Sequence, residues 1–277
     1  GSVWDIQKQW ICPADDDTRT VPEICDVLKG KDPLNIEACT QTMDAIIYGN
    51  ASIKSAFDMA LYDIAAQYAG KPLYKFLKGK KKTLLTDYTV SFGGPAKMAG
   101  DAQKIKNEGY QVIKVKLGGT PTEDIQRIKL IRKKTGPDIP LVIDANQGWN
   151  VKTAPKILSA LSVYNILFCE EPIPRWDFMN LPQVQQDSPI PIMADESCGD
   201  HHDAKRLIDL KACRFFNIKL GKSAGIFKAL KIIKLAEAAG IKMQLGGFLE
   251  SRLAFTAAPR VNAILTSGPS NSVGYRI

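Results

Sequence analysis

Five charged residues recur at a near-regular interval along the middle of the chain, and each closes a short apolar run. They are Lys116, Asp144, Glu170, Asp195 and Lys219, which follow one another at steps of 28, 26, 25 and 24 residues. One strand plus a covering helix occupies about this length of chain. The repeat therefore predicts five consecutive strand–helix units, with a charged residue at the carboxyl end of each strand.

The same alternation extends from residue 87 onward and predicts eight strands. These are Asp87–Phe92, Val112–Leu117, Leu141–Asn146, Ile166–Glu171, Ile192–Glu196, Phe215–Leu220, Lys242–Gly247 and Val261–Thr266. Helical patterns lie between them, such as Lys97–Asn107 and Ile226–Ala239, each followed closely by a glycine that ends the helix. Alternating strands and helices predict an α/β fold with a parallel sheet, here a (β/α)7β TIM-type barrel.

The chain before the barrel has a different pattern. Asn50–Ala69 carries apolar residues at spacings of three and four, which predicts an amphipathic helix. Ile36–Tyr48 is a second predicted helix, and residues 1–30 show no clear period, so we expect irregular structure there. The predicted division is a leading segment over residues 1–85 and a catalytic barrel over residues 86–277.

Composition and charge narrow the function classes. No apolar stretch approaches the roughly 20 residues that span a bilayer, and the start of the chain lacks a signal-peptide pattern. The six cysteines show no paired spacing, which favours a reducing, cytoplasmic setting. The formal charge of +8 comes from lysines spread over helical stretches, so we expect neither a nucleic-acid nor a membrane partner. His201 and His202 are expected at a helix start rather than in a metal site.

Side-chain alternation predicts that the charged residues point into the barrel. Residues two apart on a strand share a face. The pairs concerned are Lys114 with Lys116, Asp144 with Asn146, and Asn217 with Lys219. The outward face must pack on apolar helices, and burying this many charges is unfavourable unless they compensate one another. The alternative, strand ends that merely reach solvent at the rim, is reasonable for one residue but far less so for five consecutive units.

Strand order separates the charged residues into two groups. Asp144, Glu170 and Asp195 end the third, fourth and fifth predicted strands and form an arc of oxygen ligands that suits Mg²⁺. No histidine or cysteine joins them, which argues against zinc. Lys116 and Lys219 end the second and sixth strands and should face each other across the barrel mouth. Two opposed amines suggest removal of a proton from one face of a carbon and its return to the other.

The strand-end motifs resemble those of the enolase superfamily, in its muconate-lactonizing-enzyme branch. They are Lys114-Val115-Lys116, Asp144-Ala145-Asn146, Glu170-Glu171-Pro172, Asp195-Glu196-Ser197 and Asn217-Ile218-Lys219-Leu220. The resemblance implies that Lys116 and Lys219 are the acid/base pair and that the first acidic residue of each acidic motif binds Mg²⁺. It also implies that residues 1–85 include a partial N-terminal α+β capping domain. Expected supporting or substrate-binding residues are Lys114, Asn146, Glu196, Asn217, Gly247 and Glu250.

Two further segments look most like dipeptide epimerases of the L-Ala-D/L-Glu type. They are Thr86-Asp87-Tyr88-Thr89-Val90-Ser91 and Leu249-Glu250-Ser251-Arg252-Leu253-Ala254. The implied reaction is 1,1-proton transfer at the carbon alpha to a carboxylate in a small molecule, most simply a dipeptide, with Mg²⁺ stabilising the enediolate. Two features depart from that pattern: Ile264-Leu265-Thr266-Ser267 contains no Asp-x-Asp, and the capping segment is short. The substrate side chains are therefore left open.

Other functions remain on the same frame. An o-succinylbenzoate synthase, an N-acylamino acid racemase or a muconate cycloisomerase would share the metal ligands, and the synthase and the cycloisomerase need only one lysine as a base. A barrel that has lost activity and only binds a ligand is the non-enzyme alternative. The five intact residues argue against that alternative, while the short cap favours it. Assembly into a homo-oligomer is also left open.

Overall fold

A computed structural model of the chain describes residues 20–80, 86–248 and 252–262. Seven strands form one parallel, curled sheet in which each strand pairs with the next along the chain. They are β1 Tyr88–Val90, β2 Ile113–Lys116, β3 Leu141–Asp144, β4 Ile166–Glu170, β5 Ile192–Ala194, β6 Phe215–Ile218 and β7 Lys242–Leu245. The predicted α/β class and strand order are confirmed. Each strand ends one or two residues before its predicted end, and β1 and β2 also begin one residue later than predicted.

Helices precede the sheet and alternate with its strands. The leading helices are α1 Val21–Leu28, α2 Ile36–Ile46, α3 Ala51–Tyr68 and the short α4 Leu73–Phe76. Those following successive strands are α5 Pro95–Asn107, α6 Pro121–Thr135, α7 Ala154–Leu161, α8 Leu181–Asp187, α9 His201–Asp209, α10 Ile226–Ala239 and α11 Arg252–Asn262. In the described ranges, no helix is long and apolar enough to cross a membrane.

Local capping signals account for several helix ends. Thr120 precedes α6, and its side chain accepts a hydrogen bond from the backbone N–H of Glu123. Asp200 precedes α9, which begins at His201 as predicted, and accepts two backbone N–H groups of the first turn. Gly240 follows α10 in the left-handed conformation, with φ of 69°. These ends are therefore set by residues next to them in sequence.

The two faces of the strands pack in separate apolar layers. Outward residues join the helices in the main core, and they include Ile113, Val115, Leu141, Ile143, Cys169, Ile192, Ala194, Phe216 and Ile218. Residues of the other face form a second cluster of Val112, Val142, Phe168 and Met193. Asp144, Glu170 and Asp195 each come two residues after a member of that cluster, so alternation places them on the inner face. The inner face thus carries apolar side chains below and acidic side chains at the carboxyl edge.

Two secondary-structure predictions are wrong. The eighth strand was expected to begin at Val261, but Val261 lies in α11, where Ala257, Ala258 and Val261 are buried at helical spacing. Residues 263–266 of that predicted strand lie outside the described residues. Within residues 1–30, expected to be irregular, Val21–Leu28 forms α1 and buries Ile24 completely.

The leading helices are joined to the barrel by a shared ion pair. Asp44 of α2 accepts Lys54 Nζ of α3 at 3.1 Å and Lys228 Nζ of α10 at 2.7 Å. Burial would raise the pKa of Asp44, but hydrogen bonds from Lys228 and Lys54 hold it below the ordinary value. The carboxylate is 38% exposed, so solvent screens these interactions.

Replacement of Asp44 by asparagine should therefore destabilise the fold at neutral pH and much less in acid. A folded-state pKa below the unfolded one gives stability that is present above the unfolded pKa, about 4, and is lost as pH falls through the folded pKa. We expect a cost of about 0.5–1 kcal/mol at pH 7 after screening. Urea unfolding at pH 7 and pH 3 measures it. An equal cost at both pH values would contradict an electrostatic origin.

Candidate active site

The three predicted acidic ligands lie side by side at the carboxyl edge of the sheet. Asp144 and Glu170 are the last residues of β3 and β4 and are register partners. Asp195 directly follows β5. All three are at most 1% exposed, so their charges lie inside the protein, where an uncompensated charge is costly.

Two inward residues, one on β2 and one on β6, hold Glu170 at the end of β4. Lys114 Nζ lies 2.5 Å from Glu170 Oε2 and 2.8 Å from Asp144 Oδ2. Asn217 Nδ2 donates to Glu170 Oε1 at 2.8 Å. Lys114 and Asn217 are themselves at most 2% exposed. Glu170 is thus fixed by charge-assisted hydrogen bonds from both sides of the sheet interior.

The two predicted acid/base lysines bind opposite ends of the acidic arc. Lys116 Nζ lies 2.8 Å from Asp144 Oδ2, and its side chain is 31% exposed. Lys219, the residue after β6, places Nζ 2.5 Å from Asp195 Oδ2 and is 11% exposed. Burial lowers the pKa of Lys219, but the carboxylates, Asp195 foremost, outweigh burial and raise it. Lys219 is therefore protonated in this arrangement.

Burial disfavours ionisation of each carboxylate in the site. Burial raises the pKa of Glu170 to about 8, and repulsion from Asp144 adds to it. Burial, and then repulsion from Asp195, raises the pKa of Glu196 to about 8 as well. At Asp144 and Asp195 burial also opposes ionisation, but the neighbouring lysines outweigh it and the pKa is lowered. A cation bound beside them would favour the ionised forms of Glu170 and Glu196.

Sequence reasoning missed Lys222 and understated Glu171. Lys222 Nζ lies 2.5 Å from Asp195 Oδ1 and also donates to the backbone oxygens of Asp195 and Asn217. Glu171 is fully buried and accepts hydrogen bonds from Asp195 N, at 2.6 Å, and from the Ser197 hydroxyl. Lys222 follows Lys219 by one turn, which was a usable signal. Glu171 stands beside the predicted ligand Glu170 in its motif, and adjacent residues of a strand point to opposite faces.

The remaining predicted residues lie at the rim or outside the described ranges. Asn146 is half-buried with φ of 44°, and its backbone N–H donates to Asp144 Oδ1 at 3.0 Å. Glu196 is half-buried, and its Oε2 has no hydrogen-bond partner among the described residues. Gly247 lies just past β7. Glu250 and the stretch 264–267 lie outside the described residues.

The donor types of the acidic arc fit a hard divalent cation. In the part of the chain that the structure describes, no group of three or more histidine, cysteine, aspartate or glutamate side chains is arranged as a ready metal cage. The ammonium groups of Lys114, Lys219 and Lys222 contact the same carboxylate oxygens that would bind a metal cation. Three carboxylates on neighbouring strand ends are nevertheless the donors that Mg²⁺ prefers. The fit thus rests on donor type and position.

Two protein-family models match the chain. The model "Mandelate racemase / muconate lactonizing enzyme, N-terminal domain" matches residues 15–78. The model "Enolase C-terminal domain-like" matches residues 97–271, which is more than half of the chain. The chain belongs to the enolase superfamily. Membership of the enolase superfamily confirms the resemblance drawn from the strand-end motifs.

Epimerases of the enolase superfamily are similar over most of the chain. The D-Ala-D/L-Ala epimerase of Cytophaga hutchinsonii is 57% identical over 235 residues, which cover 84% of this chain and 64% of the relative. The L-Ala-D/L-Glu epimerase of Clostridium acetobutylicum is 41% identical over 236 residues, 84% of this chain and 66% of the relative. This chain thus spans about two thirds of the length of these curated relatives.

A solved enolase-superfamily structure shares the fold closely. The crystal structure of the dipeptide epimerase from Cytophaga hutchinsonii, complexed with Mg and the dipeptide D-Ala-L-Val, matches with a TM-score of 0.86 at 53% identity. The match covers 91% of this chain and 67% of that chain. The frame that positions the acidic arc and the lysines is therefore that of a TIM-type barrel with an N-terminal cap domain.

Proposed function

We propose that this chain carries the active site of an Mg²⁺-dependent dipeptide epimerase, an isomerase that inverts the carbon alpha to a carboxylate. The observation that carries the proposal is the placement of Lys116 and Lys219 at the two ends of one buried acidic arc. Amines on both sides of one carbon can take a proton from one face and return a proton to the other. The names of the two epimerase relatives described above support the same reaction.

Three residues would hold the metal, and others would hold those three. Asp144, Glu170 and Asp195 are the proposed Mg²⁺ ligands, and bound Mg²⁺ would supply positive charge beside the substrate carboxylate. Lys114 and Asn217 orient Glu170 through the hydrogen bonds described above. Asn146, Glu196, Gly247 and Glu250 are proposed to line or support the substrate site.

The lysines would move the proton. In one direction, the amine of Lys116 acts as the base that takes the α-proton, and the electron pair of the broken C–H bond is delocalised into the substrate carboxylate. Lys219, held protonated by Asp195, then donates its proton to the opposite face of the same carbon. In the other direction the roles exchange, because an epimerase must act on both configurations. Each turnover leaves one lysine with a proton gained and the other with a proton lost.

The wider assignments form part of the same proposal. We propose a small-molecule carboxylate substrate, no nucleic-acid or membrane partner, a cytoplasmic location, and a homo-oligomer as an assembly to be tested. We also propose a capping segment over residues 1–85 and a catalytic barrel over residues 86–277. The family matches over residues 15–78 and 97–271 support that division. The lyase, cycloisomerase and ligand-binding alternatives are less supported than epimerisation.

Incubation with a dipeptide library in D₂O and Mg²⁺ tests the proposal. An epimerase should place deuterium on one α-carbon and form the second diastereomer without loss of water, and NMR with mass spectrometry detects both. N-acylated amino acids and muconate belong in the same screen because they report the alternative reactions. Absence of exchange with every dipeptide would count against the proposed function.

A further inference from the structure

Asp124, in α6, is fully buried and joins the loops that follow β2 and β3. Its Oδ2 accepts a hydrogen bond from Gly118 N, at 3.1 Å, and another from Trp149 Nε1, at 2.9 Å. Gly118 comes two residues after Lys116, and Trp149 comes five residues after Asp144. One buried carboxylate therefore ties the backbone beside an acid/base lysine to the loop beside an acidic ligand.

Arg127 extends this connection to the loop after β1. Its Nη1 donates to Asp124 Oδ1 at 2.8 Å, and its Nε donates to Gly93 O at 3.0 Å. Its guanidinium also lies 4.3 Å from the centre of the Phe92 ring, a cation–π contact. The loops that follow β2 and β3 pack closely. A Cβ added to Gly118, whose φ is 107°, would clash with the backbone of the loop after β3. The Lys116 loop has little space in which to shift.

Asp58, in α3, is equally buried and caps the helix that follows Lys219. Its Oδ2 accepts hydrogen bonds from Ile226 N, at 2.5 Å, and Phe227 N, at 3.3 Å, the first residues of α10. Such an acceptor satisfies N–H groups that a helix leaves unpaired at its start. A Cβ on Gly225, whose φ is 109°, would clash with this carboxylate. The end of the Lys219 turn therefore packs directly on Asp58.

The turn between Lys219 and α10 is hydrogen-bonded within itself. Ser223 N donates to Lys219 O at 3.0 Å, and the Ser223 hydroxyl bonds to the carbonyl of Gly225 at 3.1 Å. A shift of Asp58 would therefore move this hydrogen-bonded turn and, with it, Lys219. Asp58 belongs to the leading helices, 168 residues before Ile226 in the chain.

The geometry points to Asp124 and Asp58 as positioning residues, each of which sets the place of one acid/base lysine without touching the reacting atoms. This inference rests on the proposed epimerase function. Lys116 serves one face of the α-carbon and Lys219 serves the other. A disturbed lysine loop should therefore impair proton transfer at one face, whereas a damaged metal site or a weaker fold impairs both.

Paired variants test the positioning roles of Asp124 and Asp58 separately. Asp124→Ala removes all three hydrogen bonds of that carboxylate, and Trp149→Phe removes only the Nε1 donor while keeping an aromatic ring in place. Asp58→Ala removes the cap of α10, Asp58→Leu does so with the side-chain volume kept, and Asp58→Asn retains an oxygen that can accept the N–H groups. Where an alanine variant fails to fold, Trp149→Phe and Asp58→Leu decide the result.

The readout is α-proton exchange in D₂O, measured from each of the two epimers separately. Lys116→Ala and Lys219→Ala identify the epimer whose deprotonation each lysine performs. We expect the Asp124 and Trp149 variants to slow the Lys116 epimer about 10- to 100-fold more than the other. Asp58→Ala should do the same to the Lys219 epimer, and Asp58→Asn should restore exchange to near the wild-type rate. Equal slowing of both epimers, or no rescue by asparagine, would overturn the inference.

Backbone amide exchange provides a readout that does not need activity. Loss of Asp124 should speed amide exchange in residues 117–119 and 146–149, and loss of Asp58 should speed it in residues 220–227, each without affecting the other set. Unchanged amide exchange in those segments would contradict the anchoring role. If the wild-type protein exchanges no α-proton of any dipeptide, the proposed function fails, while the amide measurement still decides whether the two aspartates anchor these loops.

Discussion

Replacement of Lys116 or Lys219 by alanine is expected to lower the epimerisation rate by about 10²–10⁴-fold, because each variant removes a group that carries the proton on one face of the α-carbon. Neither change should abolish the fold, since Lys116 is 31% and Lys219 11% exposed at the rim of the sheet. Chiral chromatography of a dipeptide substrate measures the rate, and circular dichroism checks the fold.

The same variants should differ in solvent exchange. Each single alanine variant should retain slow α-proton exchange from the epimer that the surviving lysine deprotonates and lose it from the other. Lys129→Ala is the matched control, because Lys129 is an exposed lysine of α6. Loss of exchange from both epimers in both variants would contradict opposed lysines, and retention of full epimerisation would remove that lysine from the reaction.

The inner face of the site could be predicted from the sequence because its information is local. Strand alternation needs only neighbouring residues, and it assigned Lys114 and Asn217 to the interior, where both contact Glu170. The spacing of one strand plus one helix placed Asp144 and Glu170 on adjacent strand ends, and they are register partners. Strand–helix spacing and side-chain alternation are local properties of the chain that tertiary packing does not alter. They were therefore sufficient to place these residues in the site.

Other features depend on partners that are distant in the sequence. α1 has Val21, Ile24, Cys25 and Leu28 at helical spacing, but only its packing shows that Ile24 is fully buried. Val261, the first residue of the predicted eighth strand, belongs to α11 instead, since a short apolar run does not distinguish a strand from a buried helix end. Tertiary packing decided both cases.

The two anchoring aspartates show the same limit more sharply. Asp58 occurs in an amphipathic helix and Asp124 in the first turn of another, positions where an acid is ordinarily exposed or favours the helix dipole. Nothing near Asp58 in the sequence indicates that its hydrogen-bond donors are Ile226 and Phe227. Complete burial of both carboxylates distinguishes them from surface acids, and burial is a property of the folded chain.

Asp195→Asn is expected to weaken Mg²⁺ binding by at least about 100-fold. Loss of a residue that only supports a metal ligand already costs about 10–100-fold, and this change removes a proposed ligand charge itself. Asp195 is fully buried and accepts Lys219 Nζ and Lys222 Nζ, each at 2.5 Å, so asparagine also leaves two ammonium groups less compensated beside the site. The loss of ligand charge and the less compensated ammonium groups both weaken the binding of a cation at this position. Isothermal titration calorimetry measures the affinity.

The control for this change is Asp209→Asn, which removes the same charge from an exposed pair with Lys205 on α9. A long-range field effect would lower Mg²⁺ affinity in both variants, whereas ligand loss lowers it only in Asp195→Asn, because exposed charges are screened beyond about 10 Å. Equal affinities of Asp195→Asn and the wild-type protein would remove Asp195 from the ligand set. Asp195 would then serve only as the ion-pair partner of Lys219 and Lys222. Proton transfer would have to proceed with a metal ion that Asp195 does not bind.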